Sequence, residues 1–226
     1  MNILLFGPNG SGKGTHGEIL HEKLSILHIE TGVILRENII SSTDIGRKVN
    51  EYINRGELVP DDITIPMIMN RIKKANFKSG WLLEGFPRNL TQAEALYTAL
   101  EEERVNLDFV IQIVIDRNTA KQRIMGRRLC ASDNNHPNNI NIETIRPAEK
   151  DGKLVCRVCG CVTLTMRADD QDEVAIDKRL NIYFDTKQGT LAAVNYFKTR
   201  MKVNEVHSLS EVEETSRNLM KVLVYS

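Results

Sequence analysis

No apolar run in this chain reaches the roughly 20 residues that a helix needs to cross a bilayer. The longest, residues 109–115, is the size of a strand, so a helical membrane span is excluded. The opening residues Met1-Asn2-Ile3-Leu4-Leu5-Phe6 carry neither a basic stretch nor a small-residue cleavage site. A signal peptide is therefore not expected, and the protein is expected in the cytoplasm. Net charge is also missing: 30 Lys and Arg balance 30 Asp and Glu. That removes any whole-chain attraction to a polyanion and leaves only local basic patches to consider. Cysteine is scarce, and three of the four crowd into Cys156, Cys159 and Cys161. A disulfide framework would spread them out, and cytoplasmic thiols stay reduced, so metal binding fits the pattern better. Aromatic residues make up only 5% of the sequence and vanish altogether between positions 127 and 167.

What remains is ordinary globular composition, with 41% AVILMFWYC and 27% charged residues across 226 positions. A chain of that length can bury roughly 70% of its unfolded surface, enough for one core with sizeable insertions. Short apolar runs at 2–6, 25–29, 81–83, 109–115 and 202–206 read as strands. Stretches of helical period lie between them, among others at 62–74 and 89–102. Such alternation predicts an α/β fold, a parallel sheet with helices on both faces. Trp81 and the spaced methionines read as core; His21, His28 and His207 read as surface or strand-end residues.

Residues 127–167 break the pattern. They hold all four cysteines, two prolines and the polar tract 131–139. A segment of this size without aromatics folds poorly unaided and calls for a staple. After it, Asp169, Asp170, Asp172 and Glu173 are expected in the first turn of a helix, where the dipole favours acid. That helix continues through Ile176, Leu180, Tyr183 and Phe184.

The most specific motif is Gly7-Pro8-Asn9-Gly10-Ser11-Gly12-Lys13-Gly14-Thr15, a G-x-x-x-x-G-K run directly after a strand and before a helix. Small residues let the chain wrap a phosphate with its N–H groups pointing inward, and the helix N-terminus adds a favourable field. Lys13 would reach the β- and γ-phosphates, while Thr15 supplies the hydroxyl one place later than usual, after Gly14. The alternative is a glycine-rich turn with a surface lysine; the strand before and the helix after argue against it. A nucleoside triphosphate site is expected here.

A second strand, residues 81–84, ends in Gly85-Phe86-Pro87-Arg88. Ligands of open α/β sheets bind at the carboxyl ends of strands. Glu84 there suits a metal–phosphate complex, and Arg88 can grip a phosphate through two nitrogens. On its own this turn is a weak signal, because buried strands often close this way.

Taken together, the motifs resemble adenylate kinase over essentially the whole chain. They run in order: residues 7–15; Thr31-Gly32 with Leu35-Arg36; Leu58-Val59-Pro60-Asp61; residues 85–88 with Gln92; Arg123 with Arg127-Arg128; and Arg167 with Asp169-Asp170 and Arg179. The resemblance implies the P-loop nucleoside monophosphate kinase fold, with a parallel five-stranded sheet. It divides the chain into a core (1–30, 61–126 and 169–226), an AMP-binding insertion (31–60) and a metal-stapled LID (127–168). It implies reversible phosphoryl transfer, ATP and AMP giving two ADP with Mg²⁺, by a monomer that binds neither membrane nor nucleic acid. Carried over, Gly10, Ser11, Gly12, Lys13, Gly14 and Thr15 would cradle the ATP phosphates. Arg123 would pack on the ATP base and Arg127 would bind its phosphates. AMP would be held by Thr31, Arg36, Glu57, Leu58, Val59, Gly85, Arg88 and Gln92, with Gln92 reading the adenine edge. Arg167 and Arg179 would come in on closure and share the AMP side, so that Lys13, Arg88, Arg127, Arg167 and Arg179 form the catalytic set. Phosphoryl transfer asks for positioning and positive charge more than for covalent chemistry, which suits such a set.

Any one of these arginines alone reads as a solvated surface group. Arg123, Arg127, Arg128, Arg167 and Arg179, however, bracket one insertion in a chain of no net charge, and their repulsion calls for a bound anion. A lid that closes would bring them in and exclude water. Four places depart from the family pattern: His16 for a common Gln, Val33 for a common acid, Glu84 for a frequent Asp, and 207–210 for an Asp-Gly-Thr type of loop. These bear on base selectivity and rate. Rival readings are another nucleoside monophosphate kinase, against which Gln92 speaks, and a nucleotide-dependent zinc module on nucleic acid, which lacks a stacking platform in the aromatic-free lid.

Cys130-x5-His136-x19-Cys156-x2-Cys159 has the spacing of two facing ligand pairs. Cys156-Arg157-Val158-Cys159-Gly160 resembles a metal knuckle in which backbone N–H groups bond the sulfurs. Three thiolates and an imidazole suit Zn²⁺, with Fe²⁺ or Co²⁺ as alternatives. Cys161 competes with His136 as fourth ligand; unliganded buried thiols or a redox pair are the bland readings. A closed four-ligand site would be structural and stand outside the chemistry.

Overall fold

The apolar runs of the sequence become the centre of the molecule because a parallel sheet is covered on both faces and its strands need no polar side. The structure, a computed structural model, describes residues 1–40, 44–74, 80–134 and 136–224, without the side chain of Ile45. Residues 41–43 of the expected AMP-binding segment and Asn135 of the polar tract lie outside the described residues. In chain order the first half is β1 (Asn2–Phe6), α1 (Lys13–Leu24), β2 (Leu27–Glu30), α2 (Thr31–Ile40), α3 (Asp44–Asn54), α4 (Asp61–Lys74), β3 (Trp81–Glu84), α5 (Leu90–Glu102) and β4 (Phe109–Val114). The second half is α6 (Arg117–Gly126), β5 (Leu129–Cys130), β6 (Ala148–Lys150), β7 (Lys153–Val155), β8 (Leu164–Thr165), α7 (Glu173–Phe184), α8 (Thr190–Lys198), β9 (Val203–His207) and α9 (Val212–Val224).

The main sheet has five parallel strands in the order β2-β3-β1-β4-β9. Helices cover both of its faces, so the α/β fold with a parallel five-stranded sheet is as expected. Alternate residues of β1 face opposite sides, as the strand period requires. Leu4 and Phe6 join Trp81, Leu83 and Phe197 in one core layer beneath α4, α5 and α8. Ile3 and Leu5 join Leu82, Ile111, Leu20 and Leu219 in the other, beneath α1 and α9. A third cluster of Ile115, Ala120, Ile124, Ile176 and Leu180 ties α6 to α7 at the root of the cysteine-bearing insertion. With β1 central and β3 and β4 on either side, the loops after β1, β2 and β3 open on one edge of the sheet.

Several expectations need correction. The second strand begins at Leu27 rather than Ser25, because Ser25 takes a left-handed conformation (φ 53°) that ends α1. Of the acidic run after the insertion, only Glu173 lies in a helix's first turn. Asp169 and Asp170 lie in a 3-10 turn, and α7 starts only at Glu173, with Asp172 accepting from the Val174 N–H at 2.9 Å as its cap. The insertion holds antiparallel pairs, β5 with β8 and β6 with β7. The latter pair turns through Asp151-Gly152, both at positive φ, as a tight hairpin demands. Trp81 is fully buried, but Met1 and Met125 are exposed and are not core. His28 is no surface residue either; its position is described with the site. No helix among the described residues is long and apolar enough to cross a membrane.

Candidate active site

The loop between β1 and α1 is shaped by glycine. Gly10 and Gly12 sit at φ 84° and 88°, and a Cβ on Gly10 would collide with the carbonyl oxygen of Ala120. Gly12 also serves as N-cap of α1 without a side-chain bond, so the first N–H groups of the helix remain open to an anion. Lys13 folds back onto the loop, donating to the carbonyls of Gly7 (2.7 Å) and Pro8 (2.9 Å). Burial pulls its pKa down to about 8, against the opposing attraction of Glu84 and Glu30. Ser11 is fully buried, and its hydroxyl has no hydrogen-bond partner among the described residues.

His16 is buried one turn into α1, its Nδ1 2.9 Å from the Ser216 hydroxyl of α9. Burial, with Arg123 nearby, drops its pKa to about 4, so the ring is neutral at physiological pH. Arg123, expected to pack on a base, donates to the Ser208 hydroxyl (2.7 Å) and the Leu209 carbonyl (3.0 Å). It thereby pins the 207–210 loop beside the phosphate loop, where Ser208 donates to the Ser11 carbonyl at 3.0 Å.

On the opposite wall, Thr31 at the start of α2 donates to the Glu84 carbonyl at 2.9 Å, and Arg36 pairs with Glu30 at 2.9 Å. Asn89 caps α5 by accepting from the Gln92 N–H at 2.8 Å. The Gln92 side chain is buried and engaged at both ends: its oxygen accepts from the Arg88 N–H (2.7 Å) and its nitrogen donates to Asp61 (2.7 Å). That fixes the amide's orientation, leaving one acceptor and one donor direction for a ligand. Glu57 turns away to bond Lys178 of α7 at 2.6 Å, while Leu58 and Val59 line the cleft.

The cations between these walls differ in their partners. Arg127 lies against Asp170 (2.6 Å), a fully buried carboxylate that also bonds Arg179 (2.9 Å); Arg179 further pairs with Asp169 (2.5 Å). Part of the anion that the arginine cluster called for is therefore the chain's own Asp170. Arg167, by contrast, has a buried Nε with no hydrogen-bond partner among the described residues, and burial together with Arg127 lowers its pKa to about 10. Arg88 makes no ion pair among the described residues; burial and the nearby Arg179 lower it to about 10 as well. Glu84 is buried; among the described residues its Oε2 accepts no hydrogen bond, but it lies within ion-pair distance of His28 Nε2, at 3.7 Å. His28 bonds Glu18 through Nδ1 at 3.3 Å. Burial alone would lower His28, but contact with Glu84 and Glu18 raises it. Sequence reading missed both His28 and Glu30; the one available signal was Gly17, where a Cβ would strike the His28 ring.

Except for Pro8, the phosphate-loop residues line one cleft of about 300 Å³, together with all of the expected ATP- and AMP-side residues. Lys13, Arg88 and Arg167 are among the cations that line it. A second cluster stands apart, in the insertion. Ligand atoms of Cys130, His136, Cys156 and Cys159 all lie within 4.8 Å of one another. Cys130 and Cys159 sulfurs are 3.5 Å apart, and Cys156 Sγ is 3.6 Å from His136 Nδ1. Gly160, at φ 72°, closes the knuckle by donating to the Cys156 carbonyl at 2.8 Å. Cys161 points elsewhere, toward the Thr163 carbonyl at 3.7 Å, and is not in the cluster.

Comparison with known proteins places this geometry in one family. The family model for adenylate kinase matches residues 5–202. An adenylate kinase of Desulfotalea psychrophila is 56% identical over 224 residues, 98% of this chain and 99% of its own. One of Desulfosudis oleivorans is 62% identical over 198 residues, 88% and 86% of the two chains. One of Desulfovibrio desulfuricans is 52% identical over 228 residues, 99% and 100%.

Proposed function

The chain belongs to the adenylate kinase family and is an enzyme of that kind, a nucleoside monophosphate kinase; from this we propose that it moves the terminal phosphoryl of ATP reversibly to AMP. The observation that carries the reading is the pairing pattern of the cations. Arg88 and Arg167 are half-buried in the lining of the cleft, and among the described residues neither forms an ion pair. A partly desolvated guanidinium without an ion-pair partner favours the arrival of an anion. A phosphate between the two nucleotides meets that need.

In this reading Gly10, Ser11, Gly12, Gly14 and Thr15 hold the ATP phosphates through the loop's N–H groups, and Lys13 leaves its loop carbonyls for the transferring group. Arg123 and the 207–210 loop edge the base, and Arg127 takes a phosphate. Thr31, Arg36, Val59, Arg88 and Gln92 hold AMP, with Glu57, Leu58 and Gly85 contributing backbone. Residues 31–60 act as the AMP-binding insertion and 127–168 as the LID, on a core of 1–30, 61–126 and 169–226. Arg179, on α7 of the core, already stands buried at the cleft; closure of the LID carries Arg167 over the phosphates and excludes water, so that ATP is not spent on hydrolysis. Catalysis is positioning and charge neutralisation.

Mg²⁺ suits the Glu84 carboxylate, whose Oε2 accepts no hydrogen bond among the described residues, beside the phosphate loop; when bound it supplies charge neutralisation at the phosphates. In the LID, separations near 3.5 Å match the edge of a tetrahedron about Zn²⁺, for which Zn–S is about 2.3 Å. Asp133 lies 3.7 Å from His136 Nε2, the outer-shell carboxylate that such a ligand ordinarily has. Fe²⁺ or Co²⁺ would be accepted by the same donors. We expect a cytoplasmic monomer with no nucleic-acid partner.

The test is ADP formation from Mg-ATP with AMP, CMP, UMP or GMP in parallel. Fast turnover with AMP alone is expected. A different preferred acceptor would mean that Gln92 does not read adenine, and no turnover with any acceptor would overturn the reading.

A further inference from the structure

Asparagine is costly to bury unless every arm of its amide is bonded, because an unpaired amide in a protein interior loses its water without replacement. Among the described residues two asparagines are buried, and they are neighbours: Asn138 and Asn139. Neither leaves a buried polar atom unpaired. Asn138 Nδ2 donates to the sulfur of Cys156 at 3.3 Å and to the His136 carbonyl at 3.1 Å, while its oxygen accepts from the Arg157 N–H at 3.0 Å. One side chain thus gathers the knuckle and the loop bearing its fourth ligand. Asn139 points the other way. Its Nδ2 donates to the Arg123 carbonyl at 2.8 Å, and its oxygen accepts from the Asn141 N–H at 2.9 Å.

The backbone between them continues the connection. Arg128 donates to the Asn138 carbonyl and Ile140 to the Gly126 carbonyl, each at 2.9 Å, so residues 138–140 pair with the segment that carries Arg127. Two amides and one peptide bond therefore run from a thiolate of the metal cluster to the end of α6. That helix end presents Arg123 and Arg127 to the cleft. Gly126 leaves the space for this, since a Cβ there would collide with the Asn139 oxygen.

We infer that Asn138 and Asn139 form a strut coupling occupancy of the Cys130–His136–Cys156–Cys159 site to the affinity of Arg123 and Arg127 for ATP. The inference rests on the metal reading given above. The metal takes no part in the reaction; it fixes the thiolate that Asn138 bonds, and the strut passes that order to the arginines. Without the metal, nothing ties the Cys156 sulfur to Cys130, His136 and Cys159 across the cluster. The atom that Asn138 bonds is then no longer fixed in place. Both asparagines are positioning residues, and coupling between the two sites is reciprocal.

The experiment uses the full chain, stripped of metal by a chelator that is then removed, and the same protein reloaded with Zn²⁺. ATP affinity is measured by titration calorimetry without AMP, and Zn²⁺ affinity by competition with a chromophoric chelator. Zinc-loaded protein is expected to bind ATP about 5- to 150-fold more tightly than stripped protein, the usual range of coupling. Asn138→Ala is expected to weaken Zn²⁺ roughly 10- to 100-fold, as loss of an outer-shell partner does. Asn139→Asp, of the same shape without the donor, is expected to bind Zn²⁺ like the parent while its loaded and stripped forms bind ATP alike. Gly126→Ala, which pushes the Asn139 amide aside, is expected to do the same should Asn139→Asp fail to fold. Equal ATP affinity of the loaded and stripped parent overturns the strut but leaves the metal site standing, as does a full ATP difference surviving in both variants. Failure to take up Zn²⁺ at all overturns the metal reading itself.

Discussion

Lys13 illustrates how one residue is held ready by its surroundings. It gives its protons to two loop carbonyls, and burial has brought its pKa to about 8. An arriving phosphate restores the charge, so the pKa of the complex lies above that of the free enzyme. The sign follows: ATP affinity is flat below about pH 8, and falls about tenfold per pH unit above it, as the free lysine loses its proton. Calorimetry at pH 8.5 in two buffers of different ionisation enthalpy should show proton uptake on binding. A flat affinity from pH 7 to 9.5 with no proton taken up would rule this out. His16 shows the opposite use of burial. With a pKa near 4 and Ser216 fixing one nitrogen, it stays neutral and adds no charge to the phosphate loop. The sequence shows that a histidine stands there, but not that α9, 200 residues on, supplies its partner.

At the scale of an element, α1 sets helix propensity against packing. Gly17 in mid-helix costs roughly 1 kcal/mol relative to Ala, so propensity alone predicts that Gly17→Ala stabilises. A Cβ there would lie 2.5 Å from His28 Nε2 and 2.7 Å from its Cε1. The ring cannot swing away freely, because Glu18 holds its other nitrogen at 3.3 Å. Overpacking should win, with a loss of about 1 to 3 kcal/mol in urea unfolding. A gain in stability would show that the ring has room to move. The insertion teaches a related lesson: Asp151-Gly152 is a hairpin signal that the sequence carried openly, yet β6 and β7 were not expected. Their strands are three residues long and mostly exposed, too short for alternation to register.

Across the whole molecule, Asp170 stands in for a ligand. Its carboxylate is buried between Arg127 and Arg179, and Arg167 lies close enough to feel it. Asp170→Asn keeps the shape but leaves the cations facing one another, and breaking a buried ion pair on one side costs about 3 to 5 kcal/mol. ATP brings the missing negative charge. The variant should therefore melt well below the parent without nucleotide, and saturating ATP should raise its melting temperature by more than it raises the parent's. Equal shifts would mean that Asp170 and the nucleotide phosphates do not serve the same arginines.

Those arginines mark the line between what the chain's order fixes and what folding adds. Strand positions, the phosphate loop and the spacing of Cys130, His136, Cys156 and Cys159 were legible because each depends on residues a few places apart: a period of two, a turn needing positive φ, a ligand pair. The family likeness was legible for the same reason, as a series of short motifs in order. Which charges are neutralised was not. Arg127 meets Asp170 across 43 residues, Thr31 meets the Glu84 carbonyl across 53, and His28 meets Glu84 across the paired strands β2 and β3. Such contacts depend on the strand order β2-β3-β1-β4-β9, which no local pattern states. The sequence by itself determined the elements and the chemical groups; the tertiary structure decided which of those groups are satisfied by the chain and which are left for a ligand. The physical reason is that burial and pairing are properties of neighbours in space.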